Sequence, residues 1–135
     1  MDITSDNTEK EYYKNLLPYL AKINALSASV LYYQDSPIAY NLCYIWQNKV
    51  GQIKTSYDAK YHSDSPGAIL MEFGLKEYID KQLEEFDFLG DAMPHKLSWS
   101  KEVRKHVSFY TYSKNKKAKL LFKLKSLKSY LKSYL

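Results

Sequence analysis

The stretch Tyr57-Asp58-Ala59-Lys60-Tyr61-His62-Ser63-Asp64-Ser65-Pro66-Gly67 gathers residue types that could do chemistry. A half-buried strand pattern runs into it, and an amphipathic helix pattern leaves it. Ser65 suits the N-cap of that helix and Pro66 its first position. A helix start exposes unpaired backbone N–H groups at the positive end of the helix dipole, so such a junction is an anion site, most often for phosphate. Two residues count against it. Pro66 supplies no N–H, and Asp64 brings a negative charge beside the anion. An ordinary capped helix start accounts for the same residues.

His95 is the best titrating group elsewhere, because an unperturbed imidazole ionises near neutrality. A surface histidine in a loop is the plainer reading. Tyr57, Asp58 and Asp87 fall near it by position, although Asp58 also suits a turn that it caps with its own side chain. His62 and His106 have no partner at metal-ligand spacing. No zinc motif, catalytic-triad signature, P-loop or dinucleotide fingerprint is present, so no metal is expected. Cys43 is the one cysteine, which excludes an internal disulfide and a multi-cysteine metal site. Its apolar strand setting reads as a small buried hydrophobe.

The elements that must position these residues follow from the pattern. At 135 residues, one domain is the expectation, long enough to bury a core without disulfides or metals. Fourteen tyrosines favour sheet, and four Gly with four Pro argue against a loop-rich chain. The net charge of +5 conceals an asymmetry. Residues 1–100 hold nine Lys+Arg against fourteen Asp+Glu, and residues 101–135 hold eleven against one. No secretory leader or apolar run of membrane-spanning length is recognisable, so a cytoplasmic location is expected.

Thr8-Glu9-Lys10-Glu11 fits a capping box ahead of a helix over about 8–23, with Pro18 expected to bend or split it. Strands are predicted over Leu26–Tyr33, Ile38–Trp46 and Ile53–Tyr57. The middle strand is apolar on both faces, and the short turns make an antiparallel meander. A helix from Pro66 to about Leu83 should bury Ala68, Met71, Leu75, Tyr78 and Ile79, with Glu72–Lys76 and Glu77–Lys81 pairs on its wet side. It leads to a short strand at Glu85–Leu89, parallel to the third because the connection crosses over. After a loop with one helical turn, Arg104–Tyr112 reads as a fifth strand. A lysine-rich helix runs from Ser113, with Leu120, Leu124, Leu127, Leu131 and Tyr134 in a 4-3-4-3 stripe. The expected class is α+β: an antiparallel meander, a crossover helix and a parallel strand, flanked by an N-terminal helix and a basic C-terminal one.

Tyr57-Asp58, Tyr61, Ser65-Pro66-Gly67 opening a helix, Phe86-Asp87-Phe88, then Pro94, Lys96 and Trp99 resemble, in order and spacing, the second half of GNAT-like acyltransferases. The group most similar is the CelD-type one associated with cellulose and exopolysaccharide biosynthesis; the Fem-type aminoacyltransferases are more remote. The resemblance covers roughly residues 8–112. It implies a GNAT-like domain over 1–112, a single half of the group's usual two, with the basic helix 113–135 appended. Two local departures stand out: Leu89-Gly90-Asp91 lacks the group's Arg, and His95 replaces its Tyr.

The resemblance further implies an acetyl-CoA or other acyl-CoA co-substrate. Its pyrophosphate would rest on Ser63, Asp64, Ser65, Pro66 and Gly67, with Tyr57, Asp58 and His95 as catalytic candidates. The acceptor would be an amine or hydroxyl on a small molecule or a surface glycan. A homodimer would complete a two-half fold. A non-catalytic half-domain acting as an assembly module, and aminoacyl transfer from tRNA, are the alternatives. The tail over 114–135 holds eight Lys and no acid: a leucine stripe packed on the domain or on a partner helix, with Lys for solubility, is the plainer reading, and an anionic membrane surface the functional one. The tail carries no recognised RNA-binding motif, which argues against nucleic acid.

Overall fold

The computed structural model describes residues 6–107, 109 and 111–132, the last five by their backbone alone. The chain divides into two compact units, Met1–Trp99 and Ser100–Leu135.

In the first unit, helix α1 spans Asn7–Lys22. Its N-cap is Asp6, whose carboxylate accepts the N–H of Thr8 at 2.7 Å and of Glu9 at 3.4 Å. Those two backbone bonds hold the Asp6 carboxyl below its usual range. Asp6 thus takes the role that the Thr8–Glu11 capping box was expected to fill. The helix runs unbroken through Pro18. Pro18 is exposed, so water can satisfy the carbonyl that its ring leaves without a donor.

Strands β1 (Leu26–Tyr33), β2 (Ser36–Trp46), β3 (Lys49–Tyr57) and β4 (Glu85–Asp87) form one sheet in that spatial order. The first two pairings are antiparallel and the last is parallel. Two-residue turns join the meander. Gln34 and Asp35 in one, Gln47 and Asn48 in the other, all take positive φ. That is the turn geometry whose twist matches a hairpin, here built without glycine. A bulge between Leu42 and Cys43 breaks the β2–β3 register, so that Leu42 faces Lys54 while Cys43 faces Gln52.

The sheet is covered on both sides. Leu42 and Lys54 share the face toward α1, where Lys54 pairs with Glu9 and sits 5.4 Å over the Tyr13 ring. Tyr13, Ile38, Tyr40 and Leu42 are buried. On the other face Cys43 and Val50 pack with Tyr78 of helix α2 (Pro66–Asp80), joined by Ile45, Leu83 and Phe86. Tyr78 Oη meets Ser27 Oγ at 2.9 Å, so the phenol enters the core with its polar end satisfied. Each large apolar side chain removed from water here contributes about 1.5–3 kcal/mol. Gln52 donates to Asn41 at 2.9 Å in the same layer, leaving Asn41 Nδ2 buried without a hydrogen-bond partner. Tyr44 lies across Gly51, its cross-strand neighbour, so closely that an added Cβ would fall 2.3 Å from the ring.

Helix α2 buries Pro66, Leu70, Met71, Gly74 and Tyr78. The expected stripe is corrected: Ala68 is exposed, Leu75 is half-buried and Ile79 faces solvent, because the helix presents its 66-70-74-78 row to the sheet. The Glu77–Lys81 pair forms at 2.5 Å. After β4, a single turn α3 covers Pro94–Leu97.

In the second unit, helix α4 spans Lys116–Lys132. The expected fifth strand over 104–112 is absent among the described residues, which pair with no strand. Apolar alternation at Val103, Val107 and Phe109 is present, but all three side chains are exposed, with no sheet to receive them. Leu120, Leu124 and Leu127 lie on α4; the Leu131 side chain and Tyr134 fall outside the described residues.

Candidate functional site

β3 and β4 pair over only three positions, Lys49↔Glu85, Val50↔Phe86 and Gly51↔Asp87, with Lys49 Nζ bonded to Glu85 at 2.8 Å. β3 then continues to Tyr57 with no β4 residue beside it. The sheet therefore opens between the last six residues of β3 and the chain that follows Asp87. The ladder joins Phe86 and Asp87 to Val50 and Gly51 at the start of β3, and no hydrogen bond links the Phe86–Trp99 segment directly to the Tyr57–Gly67 stretch among the described residues.

At the end of β3 the chain turns through a 3₁₀ helix, Ala59–Asp64. Asp58 caps it: its carboxylate accepts the Lys60 N–H at 3.0 Å, while its own N–H donates to the Ile38 carbonyl at 2.8 Å. The single turn brings His62 back over Tyr57. Tyr57 Oη lies 2.8 Å from His62 Nδ1, and the rings stack with centroids 6.0 Å apart. Both residues are accessible to solvent. This partner of Tyr57 was missed in the sequence. The signal was a five-residue spacing across one 3₁₀ turn, which matches no metal-ligand or helical repeat.

Ser65 connects the 3₁₀ turn to α2 in the left-handed region, φ 51° and ψ 48°. Its N–H is used on the His62 carbonyl at 3.2 Å, and its hydroxyl makes no cap bond. Its carbonyl accepts Ala68 at 2.9 Å and Ile69 at 3.1 Å. Pro66 is fully buried and anchors the helix start. Ser63 and Asp64 are exposed in the last turn of the 3₁₀ helix. Gly67 N–H has no backbone acceptor among the described residues. A Cβ on Gly67 would meet only Tyr57 Cδ1, at 3.5 Å, so packing does not require glycine there. The result is an uncapped helix N-terminus whose free donor lies next to the Tyr57–His62 pair. Lys60 Nζ, 5.2 Å over the Tyr61 ring, is the nearest basic side chain in sequence.

On the other side of the opening, Asp87 accepts the Leu89 N–H at 2.7 Å, and Lys96 Nζ donates to the Leu89 carbonyl at 2.6 Å. These bonds fold the loop onto itself. His95 is exposed on α3, its carbonyl accepting Ser98 Oγ–H at 2.8 Å. The structure thus joins Tyr57, His62 and Gly67 in one place, gives Asp58 and Asp87 to turns, and leaves His95 on a separate surface turn. Among the described residues no three His, Cys, Asp or Glu side chains cluster as metal ligands.

Comparison with solved structures finds an aminoglycoside acetyltransferase from an uncultured soil metagenomic sample, in complexes with sisomicin and with trehalose. It has 15% identity and a TM-score of 0.55, over 82% of this chain and 76% of that one. An aminoglycoside N-acetyltransferase in complex with CoA is similar at 14% identity and a TM-score of 0.47, over 82% of this chain and 96% of that one. At these identities the likeness of the soil enzyme speaks for the fold. No curated protein matches in sequence. The family described as the acetyltransferase (GNAT) domain matches residues 1–97, the stretch that holds the four-stranded sheet and the Tyr57–Gly67 junction, and the chain belongs to that family.

Proposed function

We propose that this chain is an acyl-CoA-dependent N- or O-acyltransferase that moves an acetyl group to an amine or hydroxyl. The observation that carries the reading is the uncapped start of α2: a free Gly67 N–H at the positive end of a 15-residue helix, in a chain of the acetyltransferase family. An acyl-CoA brings a pyrophosphate, and the Ser63–Gly67 stretch fits such an anion through Gly67, with Lys60 as a nearby positive group. Asp64 opposes it.

In the transfer, the acceptor nitrogen or oxygen attacks the thioester carbonyl, a C–N or C–O bond forms, and the C–S bond breaks. The acceptor loses a proton and the departing thiolate gains one. Tyr57 and His62 form the pair suited to handling one of these protons, since the phenol and Nδ1 already share a hydrogen bond. His95, on α3, is the candidate base from the other side of the opening. Asp58 caps the turn through one oxygen, which leaves its second oxygen as a further candidate base.

The resemblance to the polysaccharide-associated group supports a sugar hydroxyl or amino sugar as acceptor, and the soil enzyme's complexes with an aminoglycoside and a disaccharide fit that class. A second reading, a binding module without catalysis, draws on one observation: Asp58 and Asp87 each give a carboxylate oxygen to a turn cap.

Calorimetric titration with acetyl-CoA, then a thiol-release assay over a panel of amino sugars, tests the proposal. Binding with release of free CoA is expected. Absence of binding to every acyl-CoA tried overturns it, and binding without turnover on any acceptor favours the second reading.

A further inference from the structure

We propose that α4 is an interfacial helix that seats the protein on an anionic lipid surface. Within the second unit Leu120, Leu124 and Leu127 recur on one side of α4 and are 59%, 56% and 57% exposed. Leu121 and Phe122 lie outside this row, about 100° and 200° round the helix from Leu120, and Tyr112 packs edge-on against Phe122 there, 5.4 Å between centroids. The stretch 114–135 holds eight lysines and not one acid. Lys116 and Lys123 flank the leucine row on one side and Lys117 on the other, by helical spacing.

This combination limits what can cover the helix. A second copy of α4 would bury the leucines but bring lysines against lysines. An RNA phosphate backbone would neutralise the lysines but offer nothing to the leucines. A bilayer surface rich in anionic headgroups does both: the leucines enter the headgroup–acyl boundary, and the lysines extend along their own apolar stems to the phosphates. At 17 residues α4 is about 25 Å long, and no described helix is long and apolar enough to cross a membrane, so α4 would lie in the surface plane. The inference does not depend on the chemistry of the first unit.

The test is flotation of the full chain with vesicles of phosphatidylcholine alone and of phosphatidylcholine mixed with phosphatidylglycerol, at low and high salt. Binding to the mixed vesicles only, weakened by salt, is expected. The pair Lys116→Gln and Lys123→Gln should lower partitioning about 25-fold, at roughly fivefold per lysine. The pair Leu124→Gln and Leu127→Gln, which keeps helix propensity and is checked by circular dichroism, should abolish it. Equal binding to both vesicle types, no binding, or binding indifferent to the leucine changes overturns the proposal. Polyuridine binding that is likewise indifferent to them assigns the helix to nucleic acid instead.

Discussion

Tyr57 Oη and His62 Nδ1 stand 2.8 Å apart across one 3₁₀ turn, with their rings stacked. The turn is held by Asp58, whose carboxylate caps it through the Lys60 N–H. Because both rings are accessible, neither is needed for the core. Tyr57→Phe and His62→Gln should each lower kcat/KM for acyl transfer by about 10²–10⁴-fold while leaving the melting temperature almost unchanged. Steady-state kinetics beside a thermal melt check this. An unaltered kcat/KM in both variants removes the pair from the mechanism.

Gly67 allows stability and binding to be pulled apart. An aspartate there would place a carboxylate at the helix N-terminus, worth about 0.3–1 kcal/mol of added stability. Its Cβ would meet only Tyr57 Cδ1, at ordinary contact distance. The same charge would repel a pyrophosphate. Gly67→Asp should therefore melt slightly higher yet bind acetyl-CoA at least about tenfold more weakly, a difference near 1.4 kcal/mol. Tighter binding would mean that the anion sits elsewhere.

Gly51 makes room for a ring. Its missing Cβ is where the Tyr44 ring lies. Gly51→Ala should cost about 1–3 kcal/mol by overpacking, read from the urea midpoint. In a Tyr44→Ala background the added methyl finds space, and the penalty should largely vanish. Additive costs in that double-mutant cycle would contradict the steric account.

Burial pushes the Cys43 thiol up to about 11 and raises Tyr78 as well, with hydrogen bonds only partly offsetting the loss of solvent. Both groups are neutral in the folded protein at pH values where the unfolded chain ionises. Their contribution to stability is complete below about pH 9 and is lost as pH rises through the folded values, beginning with Cys43 toward pH 11. Urea midpoints measured at rising pH should fall over that window, and Cys43→Ala should flatten the early part. In the native state at neutral pH, Cys43 should react with thiol reagents only as fast as the protein opens.

The meander, the crossover helix and the parallel strand were legible because each depends on local pattern: alternation in Ile38–Trp46, turn residues over 34–37 and 47–51, and Pro66 opening a helix, although Ser36 and Lys49 already belong to β2 and β3. What escaped was set by tertiary partners. Which side of α2 is buried depends on the tilt that seats Tyr78 against Ser27, a contact 51 residues apart. The alternation of Val103, Val107 and Phe109 looked like a strand, yet none of the described residues there meets a sheet. At the site, the helix start at Ser65–Gly67 was readable from its residues. The Tyr57–His62 pair was not, because its geometry comes from the Asp58 cap and the kink at Tyr61 acting together.

The three-residue ladder between β3 and β4 has a kinetic consequence. β1, β2 and β3 meet through two-residue turns, and hairpins of that kind close in roughly 1–10 μs. The β3–β4 ladder must instead bring together residues such as Lys49 and Glu85, 36 positions apart, and α2 must form and dock between them. Assembly should proceed with the meander in place before β4 arrives, and opening should run in the reverse order. In native-state hydrogen exchange, the amides of Phe86 and Asp87 should therefore lose protection at lower denaturant than those of Leu42 and Cys43. The opening that carries the candidate chemistry is then the last seam of the sheet to close.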